Sequence, residues 1–251
     1  MLRLFLIMIM IVLIAQAGAE KKQLITYFQN NSPPKYIELN NDYTGICIDI
    51  INEINARLHS SEVAIINPTQ ANVPVKRIMK YIELSQEIDL FVGAAKTQSR
   101  MIHVGNFSTA LYAIKGTFAK NKTNNFVYQD IDSLSGLIIG VLRGSSSVKL
   151  MNNISGVQVV KTNTIEQSLN MLAIGRIDLV YYHDLGLKWQ INSLNLRGLV
   201  ELVDEHEYLQ SGFQYIIYNK NVSKVVIAKI DKVIESMHAD GSMNKILKKY
   251  Q

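Results

Sequence analysis

Arg100 is the side chain of this 251-residue sequence best suited to hold a small anion, because of the residues that lead to it. The segment Ile88-Asp89-Leu90-Phe91-Val92-Gly93-Ala94-Ala95-Lys96-Thr97-Gln98-Ser99-Arg100 opens with an apolar run of strand type, Leu90 to Val92, and breaks at Gly93. A strand that stops at a glycine lets a ligand approach the backbone closely. An arginine a few residues further on can present its fork of N–H donors to a carboxylate. Taken alone, such an arginine would as readily form a surface ion pair, so the order of the surrounding elements has to decide.

Two further strand ends carry polar residues. Leu137 to Leu142 runs into Arg143-Gly144-Ser145-Ser146-Ser147, where Ser145 and Ser146 can cap a helix and also offer its first N–H groups to an anion. Leu179 to Tyr182 ends in His183-Asp184. A histidine there can meet a ligand or simply be hydrogen-bonded in place, and Asp184 reads first as a helix N-cap. Asp49 and Asp178 read as structural, and Tyr27, Tyr181 and Tyr182 as core or cleft wall. No His/Cys cluster has metal-ligand spacing, and neither a metal nor a cofactor is expected. The one cysteine, Cys47, sits in an apolar run and reads as a small core residue.

The elements that must position these residues alternate. Leu24 to Phe28 reads as a strand. Ile46, Ile50, Ile51, Ile54 and Leu58 repeat at helical spacing. Val63 to Ile66 is a second strand, and Pro74 suits the first turn of a helix with Val75, Ile78, Met79 and Ile82 on one face. With Leu90 to Val92 this order predicts a parallel α/β sheet. The pattern restarts with strands at Tyr112–Phe118, Leu137–Leu142, Val157–Val160 and Leu179–Tyr182. Thr164 and Gln167 form a capping box for the helix between the last two, which Gly175 closes. A late strand, Phe213–Tyr218, precedes two amphipathic helices. Ligands of such sheets bind at the carboxyl ends of the strands, so two α/β lobes facing each other would bring the three polar strand ends into one cleft.

The N-terminus reads as an export signal. Arg3 precedes an unbroken apolar run from Leu4 to Ile14, and Ala17-Gly18-Ala19 is a small-x-small cleavage site. The run falls well short of the ~20 residues that span a bilayer, so residues 1–19 are expected to be removed near Ala19 and the rest exported. The net charge of +5 is scattered rather than gathered in an aromatic-interleaved stripe, which argues against a nucleic-acid partner.

The motifs in this order resemble the bacterial extracellular solute-binding proteins of family 3, which bind polar amino acids for ABC transport systems. Pro33-Pro34 followed by Tyr43-Thr44-Gly45-Ile46-Cys47-Ile48-Asp49-Ile50 is similar to the family's opening. Asp89-Leu90-Phe91-Val92-Gly93 with Thr97-Gln98-Ser99-Arg100 resembles its Asp-strand-x-Thr-x-x-Arg signature. Asn106-Phe107-Ser108 with Tyr112 resembles the crossover between lobes, and Gly140 to Ser146 the second-lobe Gly-Ser/Thr turn. Gly175-Arg176-Ile177-Asp178 and the ending from Asp240-Gly241-Ser242 to Lys248-Lys249-Tyr250 complete the series. The resemblance implies a two-lobe periplasmic-binding-protein type II fold with two hinge crossovers. Lobe 1 would comprise residues 20–110 and 211–251, and lobe 2 residues 111–210.

By the same resemblance Arg100 holds a ligand carboxylate, assisted by the backbone at Ser145 and Ser146. Gly93, Ala95, His183, Asp184 and Tyr36 complete the expected ligand-binding set. Three positions depart from the amino acid binders. Ala95 stands where they carry Ser or Thr. His183, with Asp184 one residue later, stands where they carry the acid that pairs with the α-ammonium. Asn31 or Ser32 replaces a stacking aromatic, for which Tyr36 or Phe28 can substitute. The expected role is that of a monomeric binding protein without catalysis. It would capture an amino acid or other carboxylate for the membrane permease of an ABC system. The alternatives are an exported enzyme similar to the cyclohexadienyl dehydratases, with His183 or Asp184 as general acid, and a ligand-sensing adaptor whose partner is a signalling protein.

Overall fold

The computed structural model describes residues 22–30, 32–40, 42–58, 63–69, 72–203 and 210–250. The proposed export signal, its cleavage near Ala19, and Asn31 lie outside the described residues.

The first half of the chain supplies β1 (Lys22–Ile25), β2 (Phe28–Gln29), β3 (Ile37–Leu39), β4 (Asp42–Thr44), α1 (Ile46–Arg57), β5 (Val63–Ile66), β6 (Asn72–Val73), α2 (Val75–Leu84), β7 (Leu90–Ala95), α3 (Gln98–His103) and β8 (Asn106–Phe107). Then follow β9 (Tyr112–Asn121), β10 (Ile138–Leu142), α4 (Ser146–Asn152), β11 (Gln158–Thr162), α5 (Ile165–Ala173), β12 (Leu179–His183), α6 (Asp184–Ser193), β13 (Val200–Leu202), β14 (Gln210–Tyr218), α7 (Lys224–Ala239) and α8 (Ser242–Lys248).

The helical spacing read in the sequence is the buried face of α1, where Ile46, Ile50, Ile51 and Ile54 are all enclosed. Full burial of an isoleucine contributes about 1.5–3 kcal/mol, enough for a helix of twelve residues to be held by packing rather than by propensity. Thr164 Oγ1 accepts from the Gln167 N–H at the start of α5, and the Gln167 side chain returns to the N–H of Asn163, one residue short of the expected capping-box partner. One apolar core draws on residues 24–112 together with 216–250, joined by Leu185. Two others are built within residues 118–203.

The sheet is mixed, not parallel throughout as the alternation predicts. β1–β5, β10–β11 and β10–β12 pair parallel, but β12 and β14 each run antiparallel to β9, and β7 runs antiparallel to β14. One ladder, β11-β10-β12-β9-β14-β7, therefore passes from one set of cores to the other through β9 and β14. Among the described residues β7 pairs with the late strand β14, while β1 and β5 form a two-stranded sheet of their own.

Each half anchors a strand with an aspartate. The Asp89 N–H donates to Ile25 O at 2.8 Å while its carboxylate accepts from the Ile25 N–H at 2.9 Å. Asp178 repeats the arrangement with Ile138, at 2.9 Å and 2.8 Å. Asp49 is also structural: its carboxylate accepts from Lys249 Nζ and Tyr250 Oη, tying α1 to the C-terminus.

The Asp178→Ala substitution leaves the Ile138 N–H without its acceptor and is expected to cost about 1–3 kcal/mol. Urea unfolding measures this as a lower midpoint, and an unchanged midpoint removes the carboxylate from the role.

Candidate functional site

Gly93 does not end its strand; it is a bulge within it. Across the β7–β14 ladder Val92 faces Ile216 and Ala94 faces Tyr215, so Gly93 is the unpaired extra residue. Its φ of +87° belongs to the region that glycine alone enters cheaply. A Cβ there would also lie 2.5 Å from Cys47 Sγ. The bulge presents the Gly93 carbonyl to Lys35, whose Nζ donates to it at 3.1 Å and to Gln29 Oε1 at 3.1 Å.

Lys35 is placed by the start of α1. The Ile46 N–H donates to Pro34 O at 2.9 Å and the Cys47 N–H to Lys35 O at 3.0 Å. These bonds use two of the N–H groups that a helix leaves unsatisfied at its first turn. Gly45 makes the approach possible, since a Cβ there would lie 2.5 Å from Lys35 O. The lysine is only 8% exposed. Burial lowers its pKa to about 8, and the Arg100 charge acts in the same direction. Cys47 beneath it is a free, enclosed thiol, pushed up by burial to about 11.

Lys35 and Gly93 border a cavity of about 120 Å³, whose wall also includes Gln29, Ala95, Arg100, Ser146, Ser147, Tyr181, Tyr182, His183 and Gln214. Thr97 caps α3 by accepting from the Arg100 N–H at 3.3 Å. The guanidinium turns back, Nη1 donating to Ala95 O at 2.7 Å, and burial lowers its pKa. Ser146 and Ser147, which open α4, line the same cavity.

His183 caps α6: its Nδ1 accepts from the Gly186 N–H at 3.0 Å. The neutral ring must then carry its proton on Nε2, a buried atom without a protein partner. Burial, reinforced by the Lys35 charge, lowers the His183 pKa to about 3. The ring is therefore a neutral N–H donor on the cavity wall at ordinary pH.

Of the residues expected from sequence, the structure brings Arg100, Gly93, Ala95, Ser146 and His183 together. It leaves three outside the cavity wall. Tyr36 is 3% exposed, stacks on Phe28 and Phe91, and donates its hydroxyl to Val92 O at 2.6 Å, which turns it into the core. Asp184 is the first residue of α6 rather than its cap, and its carboxylate accepts from the Lys115 N–H at 3.1 Å. Ser145 is the N-cap residue of α4, with its hydroxyl donated to Leu142 O at 2.7 Å. Sequence reading overlooked Lys35 and Gln29. The available signal was a lysine confined directly after Pro33-Pro34 in a turn that precedes a buried helix.

Among the described residues no group of three or more His, Cys, Asp or Glu side chains gathers to hold a metal. No described helix is long and apolar enough to cross a membrane.

Residues 24–251 match the family model of bacterial extracellular solute-binding proteins, family 3. The chain belongs to that family. It is 22% identical over 217 residues to the histidine-binding periplasmic protein of Escherichia coli K12, covering 83% of this chain and 79% of that one. The same protein of Salmonella typhimurium matches to the same extent. Among solved structures, an ancestral arginine-binding protein bound to arginine superposes with a TM-score of 0.76 at 23% identity, over 91% of this chain and 97% of the other. The GluR0 ligand-binding core of Nostoc punctiforme, in complex with L-glutamate, gives 0.72 at 20%, over 90% and 98%. At these identities the likeness establishes the two-lobe fold.

Two of these perturbed groups, His183 and Lys35, predict a pH response of stability. His183 has a folded pKa near 3 against an ordinary 6.5, so the unfolded chain binds a proton that the native state refuses. Its contribution to stability is present above pH 6.5 and lost as pH falls towards 3. Lys35, at about 8 against 10.5, has the unfolded chain binding more protons between those values, so its term favours folding increasingly as pH rises through that window. Urea midpoints between pH 4 and 10 are expected to follow a flatter acid limb in His183→Asn, which retains a capping oxygen, and a flatter alkaline limb in Lys35→Met. Limbs parallel to the wild type would contradict these assignments.

Proposed function

We propose that the protein is a periplasmic solute receptor that captures a small carboxylate-bearing solute, an amino acid or a related acid, and delivers it to the permease of an ABC system. The observation that carries this reading is Arg100. It is a largely desolvated guanidinium on the wall of the same cavity as Ser146 and Ser147, with no carboxylate partner among the described residues. A carboxylate entering the cleft would meet a planar fork from one lobe and the first turn of α4 from the other. The lobe division proposed is residues 20–110 with 211–251 against 111–210, and the separate cores support it.

The family and the binding proteins it resembles support transport, and the amino acids named for those neighbours support a ligand of similar size. The dehydratase alternative draws less support from the site. His183 is neutral and engaged in capping α6, and Asp184 is engaged with the Lys115 backbone outside the cavity wall.

Arg100→Ala is expected to weaken carboxylate binding by about 3 kcal/mol, roughly 100-fold, because truncating one partner of a desolvated charge pair costs in that range. Arg100→Lys should recover only part of it, lacking the bidentate fork. Calorimetric titration decides: equal affinity in Arg100→Ala and wild type would refute the clamp.

A further inference from the structure

The cleft of an α-amino acid receptor must satisfy two opposite charges, a carboxylate and an ammonium. An ammonium is held by carbonyl and amide oxygens and, where it is desolvated, by a carboxylate. In this chain two oxygens suited to that task, Gly93 O and Gln29 Oε1, already accept from the protein's own ammonium, Lys35 Nζ. No acidic side chain lies on the cavity wall among the described residues. Asp184, the nearest acid in sequence, is turned to the Lys115 backbone instead.

What the wall offers in place of a carboxylate is charged and neutral donors. Lys35 Nζ has three N–H bonds, of which two are accounted for by Gln29 and Gly93. Arg100 spends Nη1 on Ala95 O and has further N–H groups to present. His183 Nε2 is a buried, unpartnered N–H. Neither cation is paired with a carboxylate among the described residues. Two cations and a neutral donor around one cavity leave a zwitterion's ammonium without a counter-charge, while a second anionic group would find one.

We propose that the ligand of this cleft is a small dicarboxylate without an α-ammonium, one carboxylate held by Arg100 and the second by Lys35 with the His183 Nε2–H. This narrows the solute-capture reading above and depends on it. Lys35 thereby takes the place that a ligand ammonium would otherwise fill and reverses the charge the cleft selects. Burial lowers its pKa only to about 8, so the ammonium remains the major form at neutral pH.

Glutarate and glutamate make the decisive pair of probes, because they share two carboxylates at the same spacing and differ by the α-ammonium. Purified protein is titrated at pH 7 with both, with malonate, succinate and adipate to bracket the spacing, and with arginine, glutamine and histidine. A ligand that binds the folded form raises the melting temperature, and calorimetry supplies the affinities. The expected result is that one of the dicarboxylates binds best and that glutarate exceeds glutamate by at least about tenfold. Lys35→Met, which keeps the aliphatic stem, should lose about 100-fold in dicarboxylate affinity and remove the preference for glutarate over glutamate.

Tighter binding of glutamate or of any other amino acid overturns the proposal. So does the absence of a response to every dicarboxylate, or an unchanged affinity in Lys35→Met. The Arg100→Ala variant separates this failure from that of the underlying reading. If amino acids bind and that variant loses them, the carboxylate clamp stands and only the dianion inference falls. If that variant binds as the wild type does, both fall.

Discussion

A lysine ammonium enclosed in a protein needs acceptors, and here they exist because one strand carries an extra residue. The Gly93 bulge turns a carbonyl out of the β7–β14 ladder, and that carbonyl, with Gln29 Oε1, receives Lys35 Nζ. The space is close to fully used: Cys47 Sγ lies where any Cβ at residue 93 would have to go. The turn that carries Lys35 is fixed in its own way, its carbonyls bound by the first N–H groups of α1. Glycine at 93, cysteine at 47 and lysine at 35 are therefore mutually constrained, and the lining of the cleft follows from that constraint.

The same economy governs the positions of the two walls. Asp89 and Asp178 each clamp the backbone of a strand two or more elements away, one in each half of the molecule, by a reciprocal pair of hydrogen bonds. β9 and β14 carry one continuous ladder between the halves. The rigid parts thus end close to the cavity, and several residues that line it, among them Ala95, His183, Ser146 and Ser147, sit at strand ends and first helical turns, where backbone geometry fixes their direction. This is how a binding site holds its donors in place without support from the ligand.

What was legible in the sequence follows from how local each signal is. The α1 periodicity, the Thr164 cap and the arginine after a strand and a threonine are short-range patterns, and each corresponds to an element in the structure. The pairing of β7 was not legible, because its partner lies more than a hundred residues later and competes with the parallel neighbours that alternation suggests. Tyr36 read as a wall aromatic, yet its ring fits between Phe28 and Phe91 and its hydroxyl finds Val92 O, a partner 56 residues away. The cap of α6 expected of Asp184 is made by His183, since either side chain could have supplied it and only the three-dimensional placement favours the imidazole. Lys35 was missed for a related reason. A lysine is read as solvated unless something encloses it, and here the enclosure is assembled from Gln29, Gly93 and the α1 N-terminus, none of which announces the others.

The electrostatics of the cleft then run against the stability of the protein that contains it. Lys35, Arg100 and His183 all have pKa values lowered by burial, and the charge of Lys35 or Arg100 adds to the shift at His183 and Lys35. Taking a cation out of water costs several kcal/mol unless a counter-charge or a full set of acceptors offsets it. A carboxylate placed on the same wall would have relieved that cost and would also have neutralised the field that attracts an anion. Among the described residues no carboxylate lines that wall, and Asp89, Asp178 and Asp184 accept from backbone N–H groups instead. The positive charge of Lys35 and Arg100 is thus gathered at one cavity without a carboxylate partner among the described residues, and in the proposed role a bound anion would relieve it.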